Sequence, residues 1–75
     1  MRELRSAVLG DRRVRLLVDQ HGHYAVTIEV LGPAGAWEDI SLLADQLLPR
    51  RYAIARFDRR LAEQEARANE REREA

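Results

Sequence analysis

From Val14 to Leu31 the sequence VRLLVDQHGHYAVTIEVL alternates large apolar residues with smaller or polar ones on both sides of a glycine-containing turn, the pattern of a β-hairpin. Val14, Leu16 and Val18 share a face on the way in; Tyr24, Val26, Ile28 and Val30 share one on the way out. The loop length decides whether those faces coincide. A three-residue loop, Gln20-His21-Gly22, sets Val18 opposite Tyr24, Leu16 opposite Val26 and Val14 opposite Ile28. A two-residue His21-Gly22 loop would instead set Val18 against Ala25, and Val26 and Ile28 against Leu17 and Arg15. The three-residue loop is therefore expected, as a type I turn closed by Gly22 in the left-handed conformation that glycine reaches without a Cβ clash.

Glu3 to Leu9 reads as a preceding strand. Joined through a three-residue loop, Gly10-Asp11-Arg12, it would set Val8 opposite Val14, Ser6 opposite Leu16 and Leu4 opposite Val18. The expected product is an antiparallel meander with Leu4, Val8, Val14, Leu16, Val18, Tyr24, Val26, Ile28 and Val30 on one face. The other face is mixed and half wet, with Arg13 directly across from Glu29.

Gly32-Pro33-Ala34-Gly35 ends the third strand, and beyond it two periods compete. Residues 37–44 alternate as a fourth strand would. Ile40, Leu43, Ala44, Leu47 and Leu48 also fit the i, i+3, i+4, i+7, i+8 template, and Glu38 and Asp39 suit the positive end of a helix dipole. A short helix over 38–48 is the expectation. Pro49 ends it and can open a second helix at Arg50, where Ala53, Ile54, Phe57 and Leu61 make a narrow apolar stripe. Residues 62–75, AEQEARANEREREA, favour helix and form near-neighbour ion pairs but carry no large apolar side chain, so no coiled-coil seam exists. The fold class expected is α+β: a three-stranded antiparallel meander with one short and one long C-terminal helix on one face. Residues 1–61 would form the compact domain and 62–75 a charged helical extension that frays.

A chain of 75 residues buries only about 60% of its unfolded surface, so the core is small and self-association would help it. Without cysteine there is neither a disulfide framework nor a thiolate metal site. No apolar run approaches the ~20 residues of a membrane span, and the start lacks the apolar core of a secretion signal, so a cytoplasmic protein with no membrane association is expected. The net charge is zero through cancellation of blocks. Residues 19–49 hold Asp19, Glu29, Glu38, Asp39 and Asp45 and no base, while 50–60 hold Arg50, Arg51, Arg56, Arg59 and Arg60 against Asp58 alone. Every base is arginine, which most simply reflects GC-rich coding.

Chemistry is sparse. Asp19, His21 and His23 have a ligand-like spacing but sit together on a hairpin tip, so they read as solvated turn residues and not as a metal site. The carboxylates show no acid/base spacing, Ser6 and Ser41 have no nucleophile motif, and GPAG lacks the Lys and hydroxyl of a phosphate loop. No catalytic residues and no cofactor are expected. Two binding readings remain. An acidic middle beside arginine clusters and a partly apolar sheet supplies steering charge and anchors for a protein partner, either a second copy or another complex. Its anchors would be Trp37, Tyr52 and Arg56, with Arg59 and Arg60 beside them. The alternative is a DNA or RNA regulator using Arg50, Arg51, Arg56, Arg59 and Arg60. The order of 24–31, 38–48 and 50–72 matches ribbon-helix-helix repressors, but the outward Ala25, Thr27, Glu29 and Leu31 include an acid and no base, which argues against that groove-reading use.

The run Gly22-His23-Tyr24-Ala25-Val26-Thr27-Ile28, followed by Ala53-Ile54-Ala55-Arg56-Phe57-Asp58, resembles small hairpin-plus-helix proteins of phages and mobile elements over residues 14–61. That size class includes anti-CRISPR inhibitors. The resemblance implies a binder that occupies a partner or nucleic-acid surface of a host nuclease complex and runs no reaction of its own.

Overall fold

The structure is a computed structural model that describes residues 1–74. Four antiparallel strands, β1 (Arg2–Leu9), β2 (Arg12–Val18), β3 (Tyr24–Leu31) and β4 (Trp37–Asp39), form one open sheet in the order β1-β2-β3-β4. A single 3-10 turn, Leu43–Asp45, leads to one long helix, α1 (Arg50–Glu74). The class is α+β, with four strands and one α-helix where three strands and two helices were expected.

The β2–β3 hairpin has the register its alternation demands: Val14 faces Ile28, Leu16 faces Val26 and Val18 faces Tyr24. Gly22 sits at φ +79°, and the tip is closed by the Asp19 N–H donating to the His23 carbonyl at 2.9 Å. Asp19 Oδ1 accepts from the backbone N–H groups of His23 and His21 at 2.9 and 2.8 Å. These bonds, that from His23 foremost, hold the Asp19 carboxyl below the usual range. The ligand-like motif thus lies in a turn, in which the Asp19 side chain accepts from the backbone of both histidines.

β1 takes a different register. Leu9 pairs with Arg12 across a two-residue Gly10-Asp11 loop, with Gly10 at φ +62°, the glycine-first pattern that suits a II′ turn. Ala7 rather than Val8 therefore faces Val14, and a bulge between Glu3 and Arg5 shifts the pairing again. The expected core members Leu4 and Val8 are exposed, Val8 to 59%. Since a one-residue slip turns every side chain to the opposite face, the shorter loop accounts for Val8, while Leu4 falls at the bulge itself.

The expected 38–48 helix does not form. Gly35 at φ +82° turns the chain back so that Trp37 pairs with Leu31 and Asp39 with Glu29. The Ile40 N–H then donates to the Ile28 carbonyl at 2.8 Å, and Ser41 Oγ accepts the Ile28 N–H at 3.0 Å. These bonds satisfy the outer edge of β3, which a helix over 38–48 would have left open.

α1 lies along the sheet with Ala53, Phe57 and Gln64 buried, and Leu61 and Ala68 partly so, at the spacing of one helix face. Phe57 and Ala53 close a core with Val14, Leu16, Val26 and Leu48. Ile54, expected in the stripe, is 45% exposed. The helix continues unbroken past Leu61: Arg12 donates to Gln64 Oε1 at 3.4 Å, and Arg71 lies 3.3 Å from Asp11 in the β1–β2 turn. Ala75 lies outside the described residues. Among the described residues no helix is long and apolar enough to cross a membrane.

Candidate functional site

The span from β4 to α1 holds the most informative geometry. Helix positions 52, 56, 59, 60 and 63 share one flank of α1, which places Tyr52, Arg56, Arg59, Arg60 and Glu63 together. Asp45, with no exposed surface, sits against that flank. Arg56 donates to its Oδ1 at 2.6 Å, and Arg60 donates to Oδ2 at 2.7 Å and to Oδ1 at 3.1 Å. Arg56 also caps the Ala44 carbonyl at 3.0 Å, and Arg60 continues to Glu63 at 3.0 Å. Burial by itself pushes the Asp45 carboxyl up, but the hydrogen bonds from Arg60 and then Arg56 outweigh it and hold the group below the ordinary carboxylate range. The Arg60 guanidinium is correspondingly raised, first by its hydrogen bond to Asp45.

This clasp is one of three attachments of the span. The second is the Ile28–Ile40–Ser41 set already described. The third is a pair of bonds between Tyr24 and Leu48, 3.0 Å from the Tyr24 N–H and 2.7 Å from the Leu48 N–H. Between these pins the chain turns its leucines outward. Leu43 is 86% exposed and Leu47 72%, with Leu42, Ile40 and Tyr52 also exposed. Leu47 stands at φ +54°, the sole non-glycine residue in the left-handed region among the described residues.

The expected site residues separate onto two surfaces. Trp37 lies on the sheet face opposite the helix, partly buried, with the Arg13 guanidinium 4.6 Å above its ring. Arg13 in turn grips Glu29 through two bonds of 2.8 and 3.1 Å, the cross-strand pair foreseen from the register, and Arg15 bridges Glu3 at 2.7 Å. Tyr52, Arg56, Arg59 and Arg60 occupy the helix flank, so Trp37 is not part of their surface. Of the arginine cluster, Arg56 and Arg60 are turned inward to Asp45. Arg50 and Arg51 are exposed, Arg51 stacking on Tyr52 at 4.8 Å, and Arg59 is exposed beside Glu63 at 3.6 Å.

Sequence reasoning missed Asp45, Leu43 and Leu47. The available signal was a single acid in the apolar run ISLLADQLLP, with arginines eleven and fifteen residues downstream. Among the described residues no group of three or more His, Cys, Asp or Glu side chains comes together as a metal site would require. Comparison of the chain with protein-family models, with curated proteins and with solved structures finds no match.

Proposed function

We propose that this chain is a non-catalytic protein-binding module that engages its partner through the leucines of the 42–47 span, with Tyr52 and Arg59 beside them. The observation that carries the reading is Leu47. A left-handed leucine costs the fold about 1–2 kcal/mol relative to ordinary backbone. Its side chain is 72% exposed, so it buries little within the protomer to offset that cost. Strained positions without an internal reward mark sites of function. The three pins add preorganisation: a loop already fixed loses little further entropy when it docks. Exposed leucines supply the apolar contact, and the exposed Arg59 and Glu63 supply rim charges of both signs.

The partner is a second copy or a component of a host complex, and the inhibitory role implied by the phage-type resemblance belongs to this class. The nucleic-acid reading is weaker because Asp45 turns Arg56 and Arg60 inward, leaving Arg50, Arg51 and Arg59 as the exposed bases of the cluster. The test is capture by the tagged chain from native-host lysate with and without nuclease, beside sedimentation of the purified protein. A protein partner, or a dimer, that survives nuclease and is lost in Leu43→Asp/Leu47→Asp supports the proposal. Recovery of nucleic acid alone, or equal capture by the double variant, overturns it.

A further inference from the structure

The two edges of the sheet differ. β4 ends it with three residues, and two of them are Glu38 and Asp39. β1 ends it with eight, and the outer N–H and C=O groups of such a strand are a template for another strand. The first half of β1 carries devices that keep natural edges apart: the charges of Arg2, Glu3 and Arg5, and the bulge between Glu3 and Arg5. Its second half, Ser6-Ala7-Val8-Leu9, has no charge, no proline and no bulge, and Val8 is 59% exposed there.

Which backbone groups face outward follows from the turn. Leu9 and Arg12 close a two-residue loop, so they bond one another, and bonded pairs then alternate along the ladder. Ala7 therefore bonds inward to Val14, while Ser6 and Val8 turn their N–H and C=O groups to the edge. α1 packs mainly over β2 and β3, so it leaves the helix side of β1 open enough that Ala7 and Leu9 are only half-buried.

We infer that residues 6–9 pair antiparallel with the same segment of a second copy, about a two-fold axis at Ala7, to give one sheet continuous across two chains. This centre sets Ser6 of each chain opposite Val8 of the other, so both outward residues bond within the uncharged stretch. A centre at Ser6 would set Leu4, in the bulge, opposite Val8, and a centre at Val8 would set Gly10, in the turn, opposite Ser6. A two-fold contact has to be self-complementary. Here Ala7 meets Ala7, small enough for the close approach of a pair that shares no hydrogen bond, and Val8 lies diagonal to Val8. Arg5 faces Leu9 and reaches diagonally to Asp11 of the second copy, on the helix side of the sheet. Both groups are available: Glu3 is held by Arg15, Arg5 has no carboxylate of its own among the described residues, and the Asp11 side chain is 47% exposed beside Arg71. Another protein's strand would satisfy the same backbone groups; the match of Arg5 to Asp11 favours a second copy. The contact shares no residue with the leucine span, so it stands independently of the docking proposal and leaves that span free.

The test is sedimentation of the purified full chain over a concentration series, beside Val8→Lys, Val8→Pro and Leu43→Asp/Leu47→Asp. The wild type should form a concentration-dependent dimer. Val8→Lys brings like charges together across the join and should weaken the dimer by about tenfold or more. Val8→Pro removes an outward N–H and none from the β1–β2 ladder, so it should give a monomer that still melts cooperatively. The leucine double variant should dimerise as the wild type does. The chain has no cysteine, so Ala7→Cys introduces a single thiol, which should form a disulfide-linked dimer under mild oxidation much faster than Ile54→Cys on the exposed side of α1. A wild type that stays monomeric, a dimer unchanged in Val8→Lys, a dimer lost in the leucine double variant, or equal cross-linking of the two cysteine variants would overturn the assignment.

Discussion

Replacing Asp45 with alanine removes the acceptor of three guanidinium hydrogen bonds and leaves Arg56 and Arg60 facing one another without the carboxylate they share. Breaking a buried ion pair from one side costs about 3–5 kcal/mol. Here the guanidinium side chains keep 27% and 12% of their surface, and Arg60 retains Glu63, so the low end applies: about 3 kcal/mol. A chain of this length has a total stability of roughly 4–11 kcal/mol, so the loss is about a quarter of it or more. In a thermal scan it should appear as a drop of roughly 12–24 °C, and in urea as a lower midpoint at unchanged slope. The pH dependence has a definite sign. The folded carboxyl has the lower pKa, so the unfolded chain takes up the proton first as pH falls. The Asp45 contribution is complete above the unfolded value of about 3.9 and is lost as pH falls through the folded one. The stability gap between wild type and Asp45→Asn should therefore be constant at neutral pH and close under acid. A loss below about 1 kcal/mol, the ordinary worth of an exposed pair, would refute the clasp as the anchor of the span.

Three further outcomes follow from the packing. Leu47→Gly relieves left-handed strain of about 1–2 kcal/mol at an unfolded-state cost of about 0.5–1, so it should raise stability by about 0.5 kcal/mol while weakening partner capture; destabilisation in a urea titration would show that the leucine supports the fold. Phe57→Ala should cost about 3–5 kcal/mol, against less than about 1 for Ile54→Ala three residues earlier on the same helix, and equal losses would overturn the assignment of the buried face. Val8→Thr should change stability by less than about 0.5 kcal/mol in the same titration, because Val8 points away from the helix; a core-sized loss would restore the three-residue β1–β2 loop.

What the linear sequence determined is the part of the fold whose energetics are local. The β2–β3 register, Gly22 in the left-handed region, the Arg13–Glu29 pair and the helix opening after Pro49 all depend on residues near one another across a single turn. At Gly10 the expectation followed apolar continuity across the strands, and the local turn geometry overruled it. The helix packs mainly over β2 and β3, so the apolar gain from either face of β1 is small and the turn geometry of Gly10-Asp11 prevails. Between Trp37 and Leu48 two periodicities fit nearly equally well, and distant partners decided. The unpaired edge of β3 drew in 37–41, Tyr24 captured Leu48, and Arg56 and Arg60 drew Asp45 out of solvent. The exposed leucines and the left-handed Leu47 are consequences of those long-range bonds. Hydrophobic period reports which residues can share a face, whereas a buried charge is stabilised only where its partner arrives in three dimensions. For that reason the hairpin was legible in the chain, while the candidate docking span emerged only from the folded molecule.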